Sequence, residues 1–247
     1  EDHRSGADVT PAQFAEAFGF RGVQFGNWVE GGRRQQDLND AYDALMDLAA
    51  MLDLPPKALS LNGSLGLAFG ARGSGGKNPA AAHYEPGQVV INLTKRSGRG
   101  SLAHEWFHAL DNYFAKQRAI QRGTYITDNT DAADKVEGVR PEVVEAFFAV
   151  KRAIMATGLK ERSANLDKLR SDPYWGTGIE MHARAFESYV IAKLEDQGAA
   201  NDYLANIVSG SAWAMKAQMA GLGDSYPYLK PEEIDGVRTA FDDLFRT

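Results

Sequence analysis

Three residues in one short stretch have the types and the spacing of a metal-dependent hydrolytic site. They are His104, Glu105 and His108, in the pattern H-E-x-x-H. Residues four apart on a helix lie on one face, so the two imidazoles can offer nitrogens to a single cation. Glu105 lies about 100° round the helix axis from His104, where it can take a proton from a water in the open coordination position. Because the chain has only 5 histidines, we interpret the pattern as a metal site rather than as a coincidence on a core helix.

The third metal ligand must come from elsewhere in the chain, since a hydrolytic zinc site usually has three protein ligands plus water. The chain has no cysteine, so this ligand is a histidine or a carboxylate. Helical phase leaves three carboxylates open as candidates: Asp111, Glu180 and Glu187. If it does not bind the ion, Asp111 is expected to accept a hydrogen bond from an imidazole N–H, and Glu187 either to do the same or to pair with Arg184.

Composition and charge narrow the classes of protein to which the chain can belong. Its 247 residues, 44% apolar and 24% charged, are ordinary for a soluble globular protein. The net charge of −6 does not indicate a broad nucleic-acid surface. There is no apolar run of about 18 residues and no secretory signal, so no membrane partner is expected. The chain begins at Glu1 rather than Met, and we expect it to be a piece of a longer protein.

Hydrophobic periodicity and turn signals predict a series of elements before the metal helix. In chain order they are a helix starting at Thr10-Pro11 and ending near Gly19, a short strand at 22–25, a helix at 34–54 stopped by Pro55-Pro56, a β stretch at 58–69, a glycine-rich hairpin tip at 70–78, and a hairpin of 81–84 and 89–94 around Glu85-Pro-Gly-Gln88. We expect His83, Tyr84 and Asn92 on that hairpin to line the substrate cleft.

The second half of the chain reads as mostly helical. A polar loop, interpreted as a lid, is expected at 122–139, and helices are expected at 141–154, 177–195, 199–220 and 231–245. Residues 1–9 are expected to be loose, and residues 10–247 to form a single domain. In that domain a sheet-bearing part extends to about 120 and a helical part covers 140–247. The predicted fold class is α+β, mostly helical, with a small antiparallel sheet over the H-E-x-x-H helix.

Two motifs together resemble a known class of enzyme. The segment HEWFHALDNY, followed downstream by EMHARAF, resembles the gluzincin metallopeptidases, in particular the lethal-factor-like ones. The resemblance implies a zincin-like fold, with His104, His108 and Glu180 as zinc ligands and Glu105 as general base. It also implies a tyrosine shortly before the ligand glutamate that helps to stabilise the oxyanion. Tyr174 is the nearest match, and Arg184 is the other residue expected to serve that purpose.

A wider resemblance extends over about residues 10 to 195. The segments FGFRGVQFGNWV, LNGSLGLAFGARG, AHYEPGQVVINLTK and GSLAHEWFHALDNYF together resemble the first of the large polyvalent protein-associated domains. Such domains occur in very long multidomain proteins of phages and conjugative elements, which are thought to travel with DNA into a new host cell. The resemblance therefore implies the cytoplasm of a bacterial host.

These observations favour zinc-dependent peptide-bond hydrolysis, that is, a metalloendopeptidase within a larger polyvalent protein. The expected substrate is a protein or peptide, with the parent polyprotein and host proteins as candidates. The alternative is a catalytically silent, zincin-shaped module that binds protein or nucleic acid. A local basic patch formed by Lys95, Arg96 and Arg99 with Arg72 and Lys77 would serve such a module.

Overall fold

A computed structural model describes residues 2–26, 31–70, 82–93, 100–115, 125–128 and 138–247. Over these residues the protein is α+β and mostly helical, with one small four-stranded sheet. Several sequence predictions fall outside the described residues: the basic patch, most of the glycine-rich segment 70–78, and most of the lid at 122–139. No described helix is long and apolar enough to cross a membrane.

The described chain forms two compact units. The first consists of residues 1–110 and 193–206, and the second of residues 111–192 and 207–247. The prediction of a single domain over 10–247 stays a prediction.

The first unit contains most of the predicted N-terminal elements. Its helices and strands are α1 (Pro11–Phe18), β1 (Val23–Phe25), α2 (Gly31–Met51), β2 (Gly66–Phe69), β3 (Ala82–Glu85), β4 (Val90–Leu93) and the start of α3 (Leu102–Ala115). Thr10 caps α1 by accepting a hydrogen bond from the backbone N–H of Gln13, as the Thr-Pro signal predicts. The predicted β stretch at 58–69 is only partly extended, because a 3-10 helix occupies Pro56–Ser60.

The sheet is mixed, and the prediction of an antiparallel sheet was wrong. Its strand order is β1-β2-β4-β3. Only β3 and β4 pair antiparallel, through the predicted turn after Glu85, whereas β1–β2 and β2–β4 are parallel. Strands β2 and β3 are not neighbours in this sheet, and the hairpin tip predicted at 70–78 lies mostly outside the described residues. Short turn signals report only pairing between strands that are adjacent in sequence, and parallel pairing needs a longer crossover such as α2.

The N-terminus of α3 is fixed by a segment about 100 residues further along the chain. The backbone N–H of Gly100 donates to the carbonyl of Tyr203 (2.9 Å) and that of Ala103 to Leu204 (2.9 Å), while Asn206 N–H donates to the carbonyl of Gly100 (3.1 Å). Gly100 has φ +87, and a Cβ on it would lie 2.6 Å from the Cβ of Asn206. The start of α3 therefore requires glycine at this position.

The second unit is helical. It contains the end of α3, α4 (Pro141–Met155), α5 (Leu159–Asp167), most of α6 (Gly178–Asp196), α7 (Gly210–Met219) and α8 (Ile234–Arg246), with 3-10 helices at Ile126–Asp128 and Pro231–Glu233. Helix α4 packs against both α8 and α5. The charged stretch 158–172, for which no element was predicted, forms α5, and the predicted helix 199–220 is confined to α7.

A buried ion pair joins α5 to the 3-10 helix before α8. Both guanidinium nitrogens Nη1 and Nη2 of Arg162 contact the carboxylate of Glu233, at 2.9 and 2.7 Å. Arg162 is 4% exposed. Its guanidinium also donates hydrogen bonds to the carbonyls of Tyr226 and Tyr228. Burial raises the pKa of Glu233, but hydrogen bonds from Arg162 and from the N–H groups of Lys230 and Gly158 outweigh it, so the net pKa lies below its usual value.

We expect Glu233→Gln to destabilise the protein by about 3 kcal/mol, because it leaves the Arg162 guanidinium buried without a counter-charge. Since the folded-state pKa of Glu233 is lowered, its stabilising effect is present above the unfolded-state pKa and is lost as pH falls through the folded-state pKa. The free energy of unfolding of wild type, measured with urea, should therefore fall below about pH 4. It should fall less in the variant, which lacks this carboxylate. Glu232→Gln, the same charge change at an exposed neighbour, is the control. Equal stability of the two variants would show that the ion pair between Arg162 and Glu233 does not stabilise the protein.

Gly100→Ala should destabilise the protein by about 2 kcal/mol or more, because alanine disfavours this positive φ and its Cβ would collide with Asn206. Thermal unfolding measures the effect. Gly87→Ala is the matched control, since Gly87 lacks a positive φ and nothing lies within 4 Å of its Cβ position. A Gly100→Ala variant as stable as Gly87→Ala would show that residues 203–206 do not fix the start of α3.

Candidate metal centre

Helix α3 carries the two histidines, and its apolar side chains are buried. Leu102, Ala103 and Phe107 have no exposed surface. The indole N–H of Trp106 donates to the carbonyl of Leu59 at 3.0 Å, which fixes the rotation of the helix about its own axis. The position of the histidine pair therefore follows from packing of the apolar residues between and around them.

The two imidazoles converge as the four-residue spacing predicts. Nε2 of His104 and Nε2 of His108 are 3.0 Å apart, and their rings meet nearly at right angles, with 80° between the planes. Two nitrogens each about 2.0–2.1 Å from one tetrahedral zinc ion would be about 3.3 Å apart. The observed separation fits that requirement with little movement of either ring.

Glu105 lies between the two histidines in sequence and in the first turn of α3. Its side chain is buried, at 6% exposure. A carboxylate in the first turn interacts favourably with the helix dipole. A buried carboxylate next to His104 in sequence is of the type that can exchange protons with a water at such a site.

One group of possible metal ligands contains both histidines and Glu180. The potential ligand atoms of His104, His108 and Glu180 all lie within 4.8 Å of one another. Neither Asp111 nor Glu187 belongs to this group, and it is the one such group among the described residues. Two imidazoles and a carboxylate are a donor set that suits a divalent metal ion such as zinc, with a further position left for water. The residues present therefore fit a metal ion.

The backbone just before Glu180 is held by a single carboxylate. Asp167 accepts hydrogen bonds from the consecutive N–H groups of Tyr174 (2.9 Å), Trp175 (2.9 Å) and Gly176 (2.7 Å). Thr177 follows, and its hydroxyl accepts a hydrogen bond from the N–H of Glu180 at 3.4 Å. Helix α6 begins at the next residue, Gly178. The ligand candidate therefore lies in a first helical turn whose start is tightly determined.

Arg184, predicted to stabilise the oxyanion, is engaged with this same loop. Its guanidinium lies 5.0 Å from the centre of the Trp175 ring and donates to the Trp175 carbonyl. It also contacts Ser163 Oγ at 3.4 Å. Nη1 is buried and makes no hydrogen bond within the described part of the chain. The oxyanion role of Arg184 stays a prediction, and the contacts show that Arg184 positions the Trp175 loop.

Tyr174 lies at the surface of the same loop, with 38% of its area exposed. The guanidinium of Arg170 is 5.0 Å from the centre of its ring, and the ring of Trp175 is 5.3 Å away. Its predicted assistance to the oxyanion stays a prediction.

Asp111 and Glu187, the alternative ligands, are both buried but have different surroundings. The Asp111 carboxylate accepts hydrogen bonds from the N–H (3.1 Å) and from the hydroxyl of Thr127. It therefore fixes the 3-10 helix at Ile126–Asp128. Glu187 is 4% exposed, and its spacing along α6 places it with Glu180 and Arg184 in one charged stripe of that helix. The structure does not group either carboxylate with the histidines.

The three predicted cleft residues do not share one surface. Successive residues of a strand point to opposite faces of a sheet, so the side chains of His83 and Tyr84 on β3 face opposite ways. Asn92 on β4 is the partner of His83 in the ladder, but it has no exposed surface, and Tyr84 is 9% exposed. His83, whose Nε2 is 3.2 Å from Glu85, has a partly exposed side chain, and the cleft role of the three residues stays a prediction.

Sequence reasoning missed Tyr228, which lies close to the charged stripe of α6. Its carbonyl accepts a hydrogen bond from Arg162 at 3.0 Å, and the N–H of Leu229 donates to Ser188 Oγ at 3.3 Å. Burial, followed by the charge of Glu187, raises the pKa of Tyr228, and Glu180 acts in the same direction. No motif or period connects Tyr228 to α6, so the sequence offered no signal for this proximity.

Comparison with known proteins identifies one part of the chain. Residues 166–247, the last third, match the family described as large polyvalent protein-associated domain 1. The match overlaps the region of the sequence resemblance only at residues 166–195. It includes α6 with Glu180, and it lies beyond the H-E-x-x-H motif. No curated protein and no solved structure matches the chain.

Proposed function

We propose that the chain is a zinc-dependent metallopeptidase of zincin-like type that forms part of a larger polyvalent protein. The observation that carries the proposal is that the potential ligand atoms of His104, His108 and Glu180 lie within 4.8 Å of one another, and Glu105, between the histidines in sequence, is buried. In this proposal His104, His108 and Glu180 hold the ion. Zinc, when bound, lowers the pKa of a water ligand and polarises a carbonyl group.

The remaining chemistry belongs to residues of the chain. Glu105 takes a proton from the attacking water as its oxygen forms a bond to the scissile carbonyl carbon. The C–N bond then breaks, and Glu105 returns the proton to the leaving amine. Glu105 ends in its starting state, so the net reaction adds one water across one peptide bond. The candidate substrates are the parent polyprotein and proteins of a bacterial host cell.

We expect about one zinc per chain in wild type, measured by elemental analysis after dialysis. His104→Ala and His108→Ala should lose it, because each removes a nitrogen of the converging pair. Loss of a residue that only supports a metal ligand costs about 10–100-fold in metal affinity. Glu180→Ala should weaken zinc binding by more than that, because it removes a ligand. Glu187→Ala is the matched control on the same helix.

Equal zinc content in wild type and both histidine variants would contradict the metal site. A larger loss of zinc affinity in Glu187→Ala than in Glu180→Ala would show that Glu180 is not the third ligand.

Glu105→Gln should keep zinc and the fold but lose hydrolysis by several orders of magnitude, because an amide cannot accept the proton of water. The measurement is mass spectrometry of a mixed-sequence peptide library incubated with zinc-loaded protein, in which new termini report cleavage. Wild type and variant should differ in new termini but not in zinc content or melting temperature. The same new termini from both proteins would remove Glu105 from the mechanism. New termini from neither, with zinc bound, would favour the silent binding module.

A further inference from the structure

Thr127 is held by residues of two helices in the second unit. Its backbone N–H (3.1 Å) and its hydroxyl both donate to the carboxylate of Asp111, near the end of α3. Its carbonyl oxygen accepts a hydrogen bond from Nζ of Lys151 on α4 at 3.3 Å. Thr127 is 2% exposed and Asp111 has no exposed surface. Buried polar contacts therefore fix the 3-10 helix Ile126–Asp128 in one position.

The carbonyl of Thr127 lies against the first residue of α6. A Cβ placed on Gly178 would be 2.9 Å from the carbonyl oxygen of Thr127 and 3.7 Å from the carbonyl carbon. These are backbone atoms, so rotation of a side chain cannot relieve the collision, and the close approach requires glycine. Unlike Gly100, Gly178 has no positive φ. Space alone, and not backbone conformation, is what excludes a side chain here.

Thr127 therefore contacts both helices on which the candidate ligands lie. Asp111 follows His108 by three residues on α3. Gly178 precedes Glu180 by two residues on α6. Asp111, Thr127 and Gly178 all belong to the second unit. A shift of Thr127 would displace the first turn of α6 from the end of α3, and metal–ligand distances tolerate a change of only about 0.2 Å.

We propose that Thr127 is a positioning residue, which sets the place of Glu180 relative to the end of α3 through its contacts with Asp111 and Gly178. This inference rests on the proposed function. It gives Asp111 a task on the helix of the third ligand, in addition to the hydrogen bond from an imidazole N–H that the sequence predicts. The hydrogen bonds of Thr127 and the missing Cβ of Gly178 are separate observations, and both hold the same backbone segment in place.

The test titrates the full chain with Co²⁺, whose visible absorption depends on the geometry of its ligands, well below the melting temperature of each protein. Thr127→Val should weaken Co²⁺ binding about tenfold or more and change the spectrum, as loss of a residue that supports metal ligands does. Thr127→Ser keeps the hydroxyl and should restore the wild-type affinity and spectrum. Ser188→Ala is the matched control. It removes another buried hydroxyl, further along α6, and should bind Co²⁺ as wild type does.

Gly178→Ala tests the second contact without removing a hydrogen-bonding group. Its Cβ should push Thr127 away from α6 and likewise weaken Co²⁺ binding about tenfold. Gly210→Ala is its control and should leave Co²⁺ binding unchanged. Gly210 is also the first residue of a helix, α7, and nothing lies within 4 Å of its Cβ position.

Unchanged Co²⁺ affinity and spectrum in either folded variant, Thr127→Val or Gly178→Ala, overturns the inference and leaves the metal site standing, even if the melting temperature falls. Equal weakening in Thr127→Ser or in a control also overturns it, because the effect is then not specific to these contacts. If Thr127→Val does not fold, Gly178→Ala decides alone. Failure of wild type to bind Co²⁺ removes the proposed function, and the inference with it.

Discussion

Where α6 begins depends on one carboxylate that accepts three consecutive backbone N–H groups. Burial would raise the pKa of Asp167, but the donors from Tyr174, Gly176 and Trp175 outweigh it, and the net pKa lies below its usual value. The carboxylate therefore stays charged and keeps the three peptide groups in one conformation. Helix α6 begins two residues later, and Glu180 takes its place in the first turn because that start cannot slide along the chain.

The other side of the same loop is held by a cation from within α6. Arg184 covers the face of Trp175 and binds its carbonyl, so an arginine one turn after Glu180 reaches back to the residues that precede the helix. Burial lowers the pKa of Arg184. The negative charge of Glu180 opposes that effect more than any other neighbouring group does. Such a buried charged stripe is often no more stabilising than an apolar one. Its value here lies in orientation, because each charge fixes the position of the next.

The sequence predicts those parts of the site that depend on local geometry. The four-residue spacing of His104 and His108 places both rings on one helix face whatever surrounds it, and the approach of their Nε2 atoms follows from that spacing. The cap at Thr10 is equally local. The mixed strand pairing could not be predicted from the sequence, because the parallel pairing of β1, β2 and β4 depends on contacts between segments far apart in the chain. The role of Asp111 depends in the same way on Thr127.

A neutral hydroxyl has an electrostatic advantage over a guanidinium as the donor at such a site. A cation bound by His104, His108 and Glu180 would be repelled by an additional positive charge close by, which would weaken its binding. The Arg184 charge is balanced by Glu180 and Glu187 and is directed to Trp175 and Ser163.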